Sequence, residues 1–125
     1  MTQKNYNVEV VKKGQYMSWF VTTQAANKIT VKLFDEKKVY FEASKQSVNI
    51  NPALAQGDSF VEGEHLELLI ISSGSKEIKI SPNSSEILSS VGKKVGEVFT
   101  LAAEDGDDED FNDVFVVLSA WNNAH

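Results

Sequence analysis

The chain has 125 residues, no cysteine and a net charge of −6. That length supports one domain with a core of its own, and the lack of cysteine excludes disulfides and thiolate metal sites. Every one of the 12 basic residues is a lysine, so no guanidinium fork is available for phosphate, and with net acidity this argues against nucleic-acid binding.

Apolar and polar residues alternate along most of the chain, the period of half-buried strands. Val8 and Val10 alternate with Asn7 and Glu9 and predict a first strand. The segments QYMSWFVT (15–22), ITVKLF (29–34), VYFEA (39–43), SVNI (47–50) and HLELLIIS (65–72) continue the rhythm. EIKIS (77–81) follows SSGSK, which reads as a hairpin connection. EVFTLAA (97–103) and VFVVLSA (114–120) come last, the second apolar enough to predict cover on both faces. Lys13-Gly14, Gln56-Gly57-Asp58, Ser73-Gly74-Ser75 and Pro82-Asn83 read as turns, residues 52–55 as a short helical turn, and 84–92 as a strand or loop. Together these predict an all-β chain, a single domain over 1–125 folded as an antiparallel β-sandwich of roughly nine strands. The N-terminus lacks the apolar core of a signal peptide, and no apolar run approaches the roughly 18 residues of a membrane span, so no membrane insertion is expected.

The acidity is local. Glu104–Asp113 holds seven acidic residues and no lysine, and setting those seven aside from −6 leaves +1 for the rest. Such crowding costs repulsion unless the charges stay solvated or meet a cation. A solvated surface loop is the ordinary reading of an acidic run, but this run carries Phe111 and lies between two apolar strands. The segment offers oxygen ligands and neither histidine nor cysteine, which favours calcium over zinc, and its number of carboxylates favours calcium over magnesium. The spacing is not that of an EF-hand: a start at Asp105 puts Asp110 at the glycine position and Val116 at the final glutamate position. Asp108, Asp110 and Asn112 alternate, so an extended backbone would aim them the same way.

The stretch EDGDDEDFND, followed by an apolar strand, resembles the loop E-D-G-x-D-x-D-[YF]-N-D of the calcium-dependent fucose/mannose-binding lectins of bacteria. Every fixed position of that pattern is met, by Glu104, Asp105, Gly106, Asp108, Asp110, Phe111, Asn112 and Asp113. The resemblance implies a nine-stranded sandwich with no enzymatic activity. It implies two calcium ions held by Glu104, Asp108, Asp110, Asn112 and Asp113, with Asp110 and Asp113 bridging them and sugar hydroxyls coordinated directly. Asp105 would accept a hydrogen bond from the sugar, and Asp107 and Glu109 would face solvent. A match through FVTTQAANKITV would make the Thr22 carbonyl a further ligand and Thr23, Gln24 and Ala25 the positions that set sugar preference. It further implies a homodimer or homotetramer in which the chain-terminal carboxylate reaches the partner's calcium site. Here the tail SAWNNAH is longer, leaving water, Asn122 or Asn123 as substitutes.

Two rival readings are a structural or adhesion module in which calcium only stiffens the loop, and a two-metal hydrolase. The second lacks a histidine or lysine within the motif to act as acid or base. His65 and His125 read as ordinary surface residues, and Trp19 and Trp121 as packing residues rather than sugar platforms. Calcium sites of micromolar to millimolar strength stay mostly empty in cytosol, so the expected place of action is outside the cell.

Overall fold

The computed structural model describes residues 1–124. The predicted roles of His125, including its terminal carboxylate, lie outside the described residues. Nine strands form two antiparallel sheets: β1 (Thr2–Asn7), β2 (Tyr16–Thr23), β3 (Ala25–Phe34), β4 (Val39–Ser47), β5 (Ala55–Phe60), β6 (Glu67–Ser72), β7 (Lys79–Leu88), β8 (Lys94–Glu104) and β9 (Val114–Trp121). One sheet runs β1-β6-β3-β4 and the other β5-β2-β9-β8-β7. Alternation drives this arrangement. Met17 and Val21 from β2, Ile29, Val31 and Leu33 from β3, Leu68 and Ile70 from β6, Leu101 from β8, and Val116 and Leu118 from β9 all point between the sheets and are buried. No described helix is long and apolar enough to cross a membrane.

Several elements depart from the sequence pattern. The first strand ends at Asn7, because β1 pairs with β6 from Thr2↔Ser72 to Asn7↔Glu67, and Val8 follows it as a buried plug. The strand expected at 47–50 belongs to a continuous β4 only as far as Ser47. Residues 52–55 form no helical turn: Leu54 N–H donates to the Val21 carbonyl (2.9 Å), drawing the chain alongside β2 as it enters β5. Gln56-Gly57-Asp58 is therefore strand, not turn. Glycine is needed there because Trp19 packs directly over it; a Cβ at position 57 would stand 2.6 Å from the indole. Trp19 itself is buried and stacks on Phe41 (ring centroids 5.6 Å apart).

SSGSK is no hairpin, because β6 and β7 belong to different sheets and the segment crosses between them. Pro82-Asn83 likewise makes no turn. β7 runs straight through it, paired with β8 from Lys79↔Glu104 onward. As a sheet edge, β7 can hold a proline without losing a ladder hydrogen bond on both sides. β9 is covered on one face only; its other face leaves Phe115 and Trp121 half exposed.

Candidate functional site

β9 pairs with β2 on one side and β8 on the other. The connection leaving β8 at Glu104 and entering β9 at Val114 is thereby set beside the corner between β2 and β3, where Thr23 pairs with Val114 and Gln24 N–H donates to the Asp113 carbonyl (3.1 Å). The end of β6 and the crossover after it complete this end of the sandwich.

Glu104 organises the loop. It is buried, and its two carboxylate oxygens accept the backbone N–H groups of Phe111 and Gly106, each at 3.1 Å. The chain wraps around this one side chain to satisfy it. Residues Glu109 (φ 59°) and Phe111 (φ 52°) adopt left-handed conformations to do so, which costs energy for non-glycine residues and is characteristic of binding loops. The loop is thus not the extended run that the alternation of Asp108, Asp110 and Asn112 suggested.

Two groups of carboxylates result. In one, single oxygens of Glu104, Asp108 and Asp110 lie within 4.8 Å of one another; in the other, those of Glu104, Asp105 and Asp113 do. Glu104 is common to both, whereas Asp110 and Asp113 fall one in each. Burial first, and then hydrogen bonding to the carboxyls of Asp108 and Asp113, pushes the Glu104 carboxyl up to about 8. Burial likewise raises Asp113. Asp108, sharing a hydrogen bond with Glu104, is lowered. Burial and mutual hydrogen bonding among these carboxyls thus favour the protonated form at Glu104 and Asp113.

Asp105 is also buried. Burial alone would raise its carboxyl, but hydrogen bonds from Ser72 Oγ (2.7 Å) and Asn27 Nδ2 (3.1 Å) outweigh it and the carboxyl is lowered. Its own N–H donates to Asp113 Oδ2 (3.0 Å). Asn27 fits only because residue 74 is glycine, a Cβ there falling 2.5 Å from Asn27 Nδ2. Asp107 and Glu109 are exposed, and each is ion-paired, with Lys76 and Lys79 respectively.

A shallow concavity of about 320 Å³ opens over the loop, lined by Gln24, Ala26, Asn27 and Val48 together with acidic-loop residues including Glu104, Asp105 and Asp113. Of the four corner residues singled out in the sequence, Gln24 alone lines it. Thr22 lies on the outer sheet face opposite Phe115, while Thr23 and Ala25 are buried, Ala25 within the core. Buried as it is, Ala25 presents no surface to a ligand. Lys45 ties the corner to the neighbouring loop, its ammonium donating to the carbonyls of Thr23 (3.3 Å), Asn49 (2.6 Å) and Ile50 (3.2 Å). Ser72, Asn27, Lys76, Lys79 and Val48 were not legible as site residues, since each comes from a strand end or loop distant in sequence. Asn122 lies just past the far end of β9, about 27 Å along the strand direction from Val114. There it bonds Gln15 (3.0 Å) and the Val95 carbonyl (2.9 Å), so it does not serve the acidic loop of its own protomer.

Residues 8–123 match the fucose-binding lectin II (PA-IIL) family. The chain belongs to that family. It is accordingly a carbohydrate-binding lectin and not an enzyme. A comparison with curated proteins finds no match. Among solved structures, the chain is similar to the C-terminal domain of the BC2L-C lectin from Burkholderia cenocepacia (17% identity, 92% of each chain, TM-score 0.70). It is also similar to a Chromobacterium violaceum lectin solved with α-methyl-fucoside (18% identity, 88% of this chain and 91% of that one, TM-score 0.66). A third is a high-affinity mannose-binding lectin of Ralstonia solanacearum (15% identity, 88% and 91%, TM-score 0.66). At these identities the likeness speaks for the two-sheet fold.

Proposed function

We propose that this lectin binds fucose- or mannose-type monosaccharides through two calcium ions seated in the acidic loop. The observation that carries the reading is the pair of three-carboxylate clusters sharing the buried Glu104. Their donors are all oxygen, their spacing suits shared ligation, and the proton held at Glu104 marks uncompensated charge, so the residues fit calcium. Glu104, Asp108, Asp110, Asn112 and Asp113, with the Thr22 carbonyl, would hold the ions. When bound, calcium supplies open coordination positions for vicinal sugar hydroxyl oxygens.

The chain's own residues do the rest. Carboxylates of Asp105, Asp108, Asp110 and Asp113 accept the hydroxyl protons, and charge-assisted bonds of this kind are about twice as strong as neutral ones. Ser72 and Asn27 fix the Asp105 carboxylate in place. Gln24, on the rim, contacts the sugar and tunes preference. Thr23 and Ala25 act by holding the corner rather than by touch.

The outer face of the five-stranded sheet supports self-association as a dimer or tetramer. Phe20 (45% exposed) pairs across the ladder with Val117, and Phe115 (40%) and Trp121 (39%) lie on the same face. Linking sites in this way raises avidity for clustered glycans. Calcium sites of micromolar to millimolar strength would stay mostly empty in cytosol and fill outside the cell, and that is where the proposed activity would operate.

Isothermal titration with methyl α-fucoside and methyl α-mannoside, before and after EDTA and again with added calcium, tests the proposal. Binding that disappears and returns with the metal is expected. Calcium uptake without any monosaccharide heat would instead identify a metal-stiffened structural module.

A further inference from the structure

A second concavity lies away from the acidic loop. It is a groove of about 630 Å³ on the open side of the sandwich, lined by Asn5, Tyr6, Asn7, Glu9, Val10, Pro82, Asn83, Ser84 and Phe99. Its origin is topological. One sheet has four strands and the other five, so β7 overhangs the partner sheet beyond β1, and residues 81–86 are exposed on both faces. Along the resulting step, the half-buried Tyr6 ring stacks on the buried Phe99 (centroids 5.6 Å apart, planes 24° apart).

We propose that this groove is a second carbohydrate-binding site, taking a neutral oligosaccharide and independent of calcium. Its lining decides the ligand class. It contains the carboxamides of Asn5 and Asn7, a serine hydroxyl, a phenol and one carboxylate, with no cation among them, so phosphates, nucleotides and acidic glycans have no counter-charge. Among the lining side chains, those of Asn7, Ser84 and Tyr6 make no hydrogen bond to other described residues, whereas Asn5 is engaged with Glu67 (2.7 Å) and Asn83, opposite Thr100, turns to the outer face of its sheet. The free amides and hydroxyls can donate and accept, as a polyhydroxylated chain requires. The half-buried Tyr6 ring, backed by the buried Phe99, offers an aromatic surface for the C–H face of a sugar ring. The volume falls within the roughly 300–1,000 Å³ of small-ligand sites. An apolar peptide or lipid would find too little apolar wall.

The groove and the acidic loop share the β7–β8 ladder, with Phe99 five residues before Glu104. That spacing is about 17 Å along the strand, far enough for the groove to take a second chain or a distant part of the same one. This inference stands without the calcium reading, although both concern glycans.

The test is a titration of the isotopically labelled full chain in EDTA with neutral manno-, gluco- and galacto-oligosaccharides at millimolar concentrations, followed by amide chemical shifts. Shifts clustered at Asn5–Asn7 and Asn83–Ser84 are expected with at least one probe. Ser84→Trp, an exposed position on the open strand, should fill the groove and weaken that binding roughly tenfold or more. The variant should keep any calcium-dependent binding of methyl α-fucoside or methyl α-mannoside. The absence of saturable shifts with every probe, or shifts confined to other surfaces, would overturn the proposal. Groove binding that survives in a protein without calcium-dependent monosaccharide binding would uphold it and refute the calcium reading alone.

Discussion

Glu104→Gln separates the two roles that burial has forced on one side chain. The substitution keeps the shape, and with the carboxyl raised to about 8 the metal-free protein near neutral pH already holds a proton there. One amide hydrogen of glutamine then faces a backbone N–H, from Gly106 or Phe111, that the carboxylate had accepted. Losing that bond costs about 1 kcal/mol, so the metal-free variant should melt within a few degrees of the parent. Calcium behaves differently. At a concentration 100-fold above its dissociation constant, a ligand of the native state contributes about 2.7 kcal/mol. For a chain of 125 residues, with an unfolding entropy of about 2.1 cal/mol/K per residue, that is an upward shift of about 10 °C in melting temperature.

The parent should show the shift and Glu104→Gln should lose nearly all of it, because both carboxylate clusters contain this residue. Differential scanning calorimetry at fixed protein concentration, with calcium or EDTA, measures both numbers. A variant that retains the full calcium shift would refute the assignment of Glu104 as the shared ligand. The pH dependence carries a second check with opposite signs. The folded-state value is raised from 4.5, so metal-free stability from this group is present at low pH and is lost as pH rises from about 4.5 through about 8. Calcium affinity runs the other way, strengthening as pH rises toward 8, because below it the ion must displace the proton. Glu104→Gln should remove this group's contribution to both slopes.

Asp110→Ala removes an exposed carboxylate from one cluster and should weaken calcium and sugar together by roughly 100-fold, as read by titration of each ligand. Asp105→Ala should weaken methyl α-fucoside or methyl α-mannoside roughly tenfold while leaving most of the calcium-induced melting shift; loss of that shift would make Asp105 a metal ligand instead. Gly57→Val drives side-chain atoms into the Trp19 indole and should lower stability by about 1–3 kcal/mol, measured by denaturant titration, with sugar specificity unchanged. Phe20→Glu, on the exposed outer face of the five-stranded sheet, should convert an oligomer to a monomer in sedimentation velocity without altering the melting shift with calcium.

Where a strand lies inside a sheet, its sequence announces it. Ile29, Val31 and Leu33, and likewise Leu68 and Ile70, alternate because the opposite sheet covers one face of each strand. The edges are different. β5 carries Gln56-Gly57-Asp58 and β7 carries Pro82-Asn83, which look like turns because an edge strand needs neither a full ladder nor a buried face. What makes β5 a strand is Trp19, whose ring requires the bare backbone of Gly57. What makes β7 one is its long pairing with β8. Neither cause is local, so neither can be read in the segment itself. The same holds for the site: the motif residues are contiguous and legible, whereas Ser72 and Asn27 reach Asp105 only after β6 and β3 are paired.

The ten-residue acidic connection also explains why a sandwich should tolerate a carboxylate as deeply placed as Glu104. An apolar residue there would leave the part-buried Gly106 and Phe111 N–H groups without the acceptor they now have, each at a cost of about 1 kcal/mol. Glu104 meets both, and in doing so dictates the left-handed turns at Glu109 and Phe111 that bring Asp108 and Asp110 back over it. Lys76 and Lys79 meanwhile neutralise Asp107 and Glu109, the two acidic residues outside both clusters. The remaining five carboxylates crowd one another, Asp105 alone receiving side-chain donors from Ser72 and Asn27, and a proton or a cation would quench their repulsion. A cation seated in this cluster would have to displace the proton on Glu104, so its occupancy would depend on pH as well as on metal concentration.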